Sequence, residues 1–362
     1  MRLHLVSGFL GSGKTTAIAA AVGLLRAAGT RAAAIMNDQG RDLVDSEHLR
    51  SLGVPTGEVA GGCFCCSYAD FASEIERLRR EVDPDVIFAE AVGSCTDLVA
   101  TVARPLDRGY LTEAGLGSYS VFVDIRLIGM YLSGVGLPFS SDVAYIFERQ
   151  LAEADLVVIN KSDLMSAASA EAVLQKARAA LPHASVMTLC ALRPAQVQAW
   201  VDRLSSSPAP RLADIEVDYS RYGAGEARLA WYDSAVHVSG GKPSLGAAAS
   251  VFLDALGARL RALGIPIGHA KVLVQGPGGT RKVSLTFDPS ELAESRASLL
   301  EVTGSSGEIL VNVRAQGPAP QLREIVRGCL DELRRSGLVG AAEVRDERAF
   351  HPGFPNPTYR LT

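Results

Sequence analysis

Apolar positions in the first half of the chain fall into short unbroken runs, separated by stretches whose apolar residues recur at helical spacing. The runs "TRAAAIMND", "PDVIFAEA", "GSYSVFVDI", "ADLVVINKSD" and "ASVMTLCA" close for the most part on polar residues, and "DFASEIERLRREV" and "SAEAVLQKARAAL" between them carry the helical pattern. Strand-length runs that stay apolar throughout predict an α/β fold: a mainly parallel, doubly wound sheet with helices on both faces. Ligands of such sheets bind beyond the carboxyl ends of the strands, which gathers Asn37, Asp38, Glu90, Asn160 and Asp163 on one rim. The second half has another rhythm. "ARLAWYDSAVHVSG" and "EILVNVRA" read as strands, "HAKVLVQGPGGTRKVSLTF" as a hairpin, and "SLGAAASVFLDALGARLRALG" and "PQLREIVRGCLDELRRSG" as amphipathic helices. Two helices against an antiparallel sheet predict a smaller α+β domain. The serine- and proline-rich "LSSSPAPRLADIE" is the best linker. The expected division is a first domain over 1–204, a linker over 205–216, a second domain over 217–345 and an extended tail over 346–362.

Composition narrows the function classes. The chain has 362 residues, 48% hydrophobic and 21% charged, with a net charge of −4. Two domains with real cores are expected, and there is no basic footprint for nucleic acid or an anionic membrane. "RLHLVSG" follows Met1 without the apolar core and cleavage site of a signal peptide, and no run of about eighteen apolar residues offers a membrane span. The expected setting is the cytoplasm, where thiols stay reduced and clustered cysteines point to metal or redox chemistry.

The chemistry begins where the first strand ends. Gly8, four residues, Gly13, Lys14 and Thr15 have the phosphate-loop spacing G-x-x-x-x-G-K-[ST]. Glycines there let backbone N–H groups curl around phosphate oxygens, Lys14 can reach the β- and γ-phosphates, and Thr15 can ligate Mg2+. The following helix adds its N-terminal dipole. Downstream, Asn160, Lys161 and Asp163 form N-K-x-D, in which Asp163 can accept from the guanine N1–H and exocyclic amine. Cys190 and Ala191, one βα unit later, can close the base pocket with their backbone. Glu90, with Gly93 three residues on, can hold Mg2+ or its water while the glycine N–H senses the γ-phosphate. "NDQGRDLVD" is a switch-loop candidate, with Asp38 and Gln39 best placed for metal or water.

Half of the six cysteines crowd into "GCFCC": Cys63, Cys65 and Cys66. In extended chain Cys63 and Cys65 point the same way, and Cys66 joins them only if the backbone turns, which Gly61 and Gly62 permit. Three thiolates and one further ligand suit tetrahedral Zn2+, with Co2+ and Cu(I) as chemical alternatives. A displaceable fourth ligand would make the ion transferable. Cys95, Cys190 and Cys329 are isolated in sequence and expected in core packing.

"GFLGSGKTT", "GCFCC", "EAVG" and "NKSD", in this order, resemble the CobW-like GTPases, a metallochaperone family related to hydrogenase- and urease-maturation GTPases. The resemblance is specific over residues 1 to about 200. It implies a G domain, a smaller C-terminal α+β domain, GTP/GDP and Mg2+ as nucleotide and cofactor, and a cargo ion, Zn2+ or Co2+, on Cys63, Cys65 and Cys66. The nucleotide set it implies is Gly8, Gly11, Ser12, Gly13, Lys14, Thr15, Thr16, Gly93, Asn160, Lys161, Asp163, Cys190 and Ala191. Lys14, Asp38, Gln39 and Glu90 are the expected catalytic residues, with Thr15 and Glu90 on Mg2+. This chain departs from the family in "NDQGR", where Arg41 replaces an acidic residue, in "EAVGS", which loses hydroxyls, and in lacking a histidine-rich loop. The expected activity is GTP hydrolysis coupled to metal transfer to a client metalloprotein or cofactor enzyme. The alternatives are a GTPase that protects or reactivates a cofactor-dependent enzyme, such as a corrinoid enzyme, and a nucleotide-coupled metal sensor. A homodimer is left open; neither nucleic acid nor a membrane is an expected partner.

Overall fold

A strand covered on both faces should be buried at every position, and Leu156–Asn160 is. The computed structural model describes residues 1–40, 44–110, 115–207, 210–212, 214–240, 244–288 and 292–361. In chain order the first elements are β1 (Arg2–Gly8), α1 (Lys14–Ala27), β2 (Ala32–Asp38), α2 (Val44–Ser51), β3 (Thr56–Ala60), α3 (Tyr68–Val82) and β4 (Val86–Glu90). Two short π-helical turns then lead to β5 (Gly115–Leu116), β6 (Ser120–Asp124), α4 (Ile125–Leu132), α5 (Ser141–Glu153), β7 (Leu156–Asn160), α6 (Ala167–Ala180), β8 (Ser185–Thr188) and α7 (Pro194–Ser206). The remainder is α8 (Tyr219–Arg228), β9 (Leu229–Ser239), α9 (Leu245–Ala262), β10 (Ile267–Gly276), β11 (Gly279–Leu285), α10 (Leu292–Leu299), β12 (Gly307–Gln316), α11 (Ala319–Arg335) and β13 (Ala341–Phe350).

The chain forms two compact units. The first comprises 1–39, 52–225 and 355–362, and the second 40–51 and 226–354. In the first, an all-parallel sheet runs β3-β2-β4-β1-β6-β7-β8, with β5 beside β1. Trp200 of α7 is fully buried against the rings of Phe88 and Phe122, 5.5 and 5.0 Å away, pinning the helix over β4 and β6. The parallel doubly wound sheet is the fold class that the apolar runs predict. β3 escapes the pattern because, paired with β2 alone, it alternates buried positions with partly exposed ones and carries no continuous apolar run.

The second unit is an antiparallel sheet, β11-β10-β12-β9-β13, with α9 and α11 packed on it. Arg314 of β12 is fully buried, pairs with Asp233 at 2.6 Å and stacks over Trp231. This unit also takes in residues from the first half. Val44 packs on Leu273 and Leu310 and donates its N–H to Asn312 Oδ1 at 3.0 Å. Asp45 sits between Lys271 and Lys282.

The division differs from the expected boundaries in three places. Residues 205–225 belong to the first unit because Asp155 accepts from Arg211 N–H and Arg104 donates to the Leu212 carbonyl. The expected tail begins inside β13, which pairs with β9 as far as Phe350, and residues 355–362 return to the first unit. Residues 40–51 leave the first unit altogether. No helix among the described residues is long and apolar enough to cross a membrane.

Burial costs the Asp45 carboxylate, yet Lys271 and Lys282 hold it well below its ordinary range. Asp45→Ala leaves two lysines without their anion, so the second unit should lose about 3–5 kcal/mol, read by chemical denaturation. A loss within ~0.5 kcal/mol would mean that both ammonium groups escape to water. Because the folded carboxyl titrates lower than the unfolded one, this stabilisation should be present at neutral pH and fade as pH falls into the acid range.

Candidate functional site

β1 ends on Gly8 (φ 131°), and the loop that follows turns through Gly11 (74°) and Gly13 (86°), all left-handed or beyond the reach of ordinary side chains. A Cβ at Gly8 would collide with the Phe122 carbonyl of β6, and one at Gly13 with the Asn160 amide. The loop thus lies on the strand ends as bare backbone. Lys14, buried at the start of α1, folds back and donates to the Gly8 carbonyl at 2.7 Å. Thr15 Oγ1 donates to Glu90 Oε1 at 3.1 Å, and Lys14 Nζ lies 3.9 Å from the same oxygen. Ser12, also buried, gives its N–H to the Phe9 carbonyl, and Thr16 is half-buried in the first turn of α1. Gly93 presses on this loop from the β4 side, where a Cβ would come within 3.2 Å of Leu10 N.

Asn160 joins the two ends of the nucleotide rim. Its Nδ2 donates to the Ser12 carbonyl at 2.8 Å, and its Oδ1 accepts from Ala191 N–H at 3.1 Å. Lys161, at φ 62°, pairs with Asp124 at 3.1 Å. Burial lowers the Lys161 ammonium from its ordinary value against the pull of Asp124. Asp163 is exposed in the short 3-10 turn that follows, within hydrogen-bond reach of the Cys190 thiol, whose titration burial and Asp163 push up. Asn160, Lys161, Asp163, Cys190 and Ala191 therefore come together. Asp38 and Gln39, both half-buried, lie at the end of β2, and Arg41 lies outside the described residues.

The cysteines follow β3. Gly61 (φ 79°) starts the turn, and Cys66 and Ser67 give their N–H groups to the Cys63 carbonyl at 3.0 and 2.8 Å. That turn brings the third thiol in. Cys63 and Cys65 Sγ are 2.8 Å apart, Cys65 and Cys66 Sγ 3.9 Å, and all three lie within 4.8 Å of one another. Phe64, pointing away, stacks on Phe71 of α3 at 4.0 Å. Sharing with Cys65 above all holds the Cys63 thiol well below its ordinary range, and the same sharing keeps Cys65 well above it. Soft or borderline cations fit this donor set. Cys95 is fully buried, as expected of a core residue, and is not one of the three thiols that lie within 4.8 Å of one another.

Two contributors escaped the sequence pattern. Asn37, at the end of β2, donates to the carbonyls of Val59 (2.9 Å) and Gly62 (2.7 Å) and accepts from Phe64 N–H (2.9 Å), so it holds the cysteine loop at both ends. The chain's last residues form a strap. Thr358 bonds the carbonyls of Cys65 and Cys66 through N–H and Oγ1 at 2.8 and 3.1 Å, and Tyr359 packs edge-on against Tyr68. Arg360 pairs with Asp97 at 2.8 Å, and Leu361 N–H bonds the Ala100 carbonyl. An N-K-x-D or C-x-C-C search cannot find either, because asparagine and a tail act here through backbone geometry.

The sequence profile of the CobW/HypB/UreG nucleotide-binding domain matches residues 2–188, more than half of the chain. The chain belongs to the CobW/HypB/UreG family. The zinc chaperone CobW of a Sinorhizobium species is 32% identical over 189 residues, covering 46% of this chain and 52% of that protein. The zinc chaperone YeiR of Escherichia coli K12 is 30% identical over 177 residues, covering 48% and 50%. The chain thus spans about half the length of the curated relatives it matches. Among solved structures, HypB from Helicobacter pylori in complex with nickel aligns over 60% of this chain and 92% of its own, at 14% identity and a TM-score of 0.43.

In this CobW-family chain the strap predicts an access barrier. With each hydrogen bond contributing ~1 kcal/mol net, Thr358→Ala with Arg360→Ala removes two and should raise the open fraction of the cysteine loop roughly thirtyfold. The rate of thiol modification in native buffer reads this, and an unchanged rate would show that the strap does not cover the thiols. Burial also pushes the Glu153 carboxyl, which accepts from Thr96 Oγ1 and Val99 N–H, from 4.5 up to about 8. Raised in the folded state, it should cost stability as pH climbs from about 4.5 to 8. Glu153→Gln should flatten that decline in melting temperature; a parallel decline would place the cause elsewhere.

Proposed function

We propose that the chain is a GTP-hydrolysing metallochaperone or metalloenzyme-maturation factor. It would carry a thiophilic transition metal on Cys63, Cys65 and Cys66, zinc before cobalt, and release it to a client metalloprotein or cofactor enzyme as the nucleotide is hydrolysed. One observation carries this reading: the Asn37 side chain grips the cysteine loop by three hydrogen bonds, one residue before Asp38 and two before Gln39. A backbone change at the end of β2 therefore reaches the thiols through a single amide. Membership of a nucleotide-binding family and relatives named zinc chaperones support it.

The residues fit a Mg2+–nucleotide. The left-handed turns at Gly11 and Gly13 let backbone N–H groups curl around phosphate oxygens, and Lys14 needs only to exchange the Gly8 carbonyl for them. Bound Mg2+ would offset phosphate charge. Thr15 and Glu90, already paired, would hold the ion or its water, and Asp38 and Gln39 would orient the attacking water. Asn160 would brace loop and base pocket together, Asp163 would accept from the guanine N1–H and amine, and Lys161 would lie along the base. Hydrolysis should be slow without a client, because no arginine finger is supplied in the nucleotide set. A cytoplasmic setting would keep the thiols reduced.

Lys14→Ala should lower GTP turnover by about 10²–10³-fold, the scale of losing one charge-stabilising donor; undiminished hydrolysis would refute the phosphate-loop assignment. Zn2+ affinity, titrated under reducing conditions with Mg2+–GDP and with a non-hydrolysable GTP analogue, should differ at least tenfold, or ~1.4 kcal/mol of coupling. Equal affinities would separate the nucleotide from the metal.

A further inference from the structure

Glycine is the residue whose peptide planes turn most freely, yet Gly93 is held on both sides. A Cβ there would come within 2.8 Å of Leu10 Cδ2 and 3.2 Å of Leu10 N, so bare backbone faces the phosphate loop. The peptide plane before Gly93 carries the Val92 carbonyl and the Gly93 N–H in opposite directions. Cys95 N–H closes a turn on that carbonyl at 3.0 Å. The plane after Gly93 carries its own carbonyl, which accepts from Gln150 Nε2 at 3.1 Å. The same Nε2 donates to the Cys95 carbonyl at 2.8 Å, tying the middle of the turn to its end. Two carbonyl partners settle which end of the amide faces them, because only the NH2 group can donate. Gln150 is 1% exposed on α5, and its Oε1 is buried with no hydrogen-bond partner among the described residues. One turn on along the same face, Glu153 accepts from Thr96 Oγ1 at 3.0 Å and Val99 N–H at 3.1 Å. α5 thus holds the segment after β4 along its length. Gly93 N–H itself makes no hydrogen bond among the described residues, although Gly93 is buried.

We propose that Gln150 is a positioning residue of the nucleotide site: its buried amide presets the Gly93 N–H as the donor that distinguishes GTP from GDP. The inference rests on the GTPase reading and specifies how the third phosphate is recognised. A buried backbone donor without a protein partner calls for an acceptor, and the anion that a phosphate loop gathers would supply one. The base and the first two phosphates are common to both nucleotides, whereas a contact to the γ-phosphate exists in GTP alone. A donor held in place before the ligand arrives needs no rearrangement when it binds, which strengthens the contact it makes. Without Gln150 the turn would lose the bonds at its middle and its end, and the Gly93 N–H would be free to swing. The loss would then fall on GTP and spare GDP.

The experiment is titration of the full chain with Mg2+–GDP and with a Mg2+-bound non-hydrolysable GTP analogue, for the wild type, Gln150→Met and Thr96→Val. Gln150→Met keeps the length of the side chain but removes its donor. Thr96→Val loosens the far end of the same segment and leaves the turn alone. The proposal expects Gln150→Met to weaken the analogue at least about tenfold while GDP affinity changes by less than about twofold. Thr96→Val should leave the ratio of the two affinities as it is. A ratio unchanged in Gln150→Met, or lowered equally in both variants, would overturn the assignment and leave Gln150 as a partner for buried carbonyls only. A wild type that binds neither nucleotide would overturn the inference together with the reading beneath it. Should Gln150→Met fail to fold, amide hydrogen exchange of the wild type decides. Exchange at Gly93 should slow at least about tenfold from GDP to the analogue, with the Gln150 NH2 group protected in both. Equal rates at Gly93, or a Gln150 amide that exchanges freely with GDP bound, would refute the proposal.

Discussion

The close approach of the phosphate loop to the neighbouring strand ends is the constraint on which the rest of the rim depends. At Gly8 and Gly13 any side chain would strike Phe122 or Asn160, so the loop must lie there as backbone alone. What remains between loop and sheet is filled by one amide. Asn160 spans from the Ser12 carbonyl to Ala191 N–H, fixing the distance between the glycine-rich loop and the segment after β8. A bridge of this kind works only when adjacent parallel strands end level. They do: Gly8 is in register with Phe122, and Asp124 with Asn160.

The same physical device serves the other end of the rim. A loop that leaves a sheet carries backbone groups that must find partners, and the cysteine loop finds partners for two of them on Asn37, which also holds Val59 of β3, and for two on Thr358. Side-chain amides therefore stand where rigid elements cannot reach. The gain is a buried cluster of thiols without a buried strand to carry it. The consequence is that its shape answers to β2 on one side and to residues 355–361 on the other.

The fold of the first unit was legible because a doubly covered sheet writes itself as unbroken apolar runs, and the nucleotide motifs because their glycines and lysine have fixed spacing. Composition misled at the boundaries. "LSSSPAPRLADIE" reads as a linker by its serines and prolines, yet Arg104 and Asp155 bind it to the first unit through contacts more than fifty residues apart in sequence. Asn37 was placed on the rim but not given its task, since an amide's partners are backbone groups with no sequence signature.

The most consequential departure is the path taken after Asp38. A switch loop that returned to its own sheet could order and disorder at little cost elsewhere. Here only five residues separate the end of β2 from α2, and α2 belongs to the second unit. Within that unit α2 is anchored by Val44, packed on Leu273 and Leu310, and by Asp45, held between two lysines, so the helix takes its stability from the antiparallel sheet and not from the strand that precedes it in sequence.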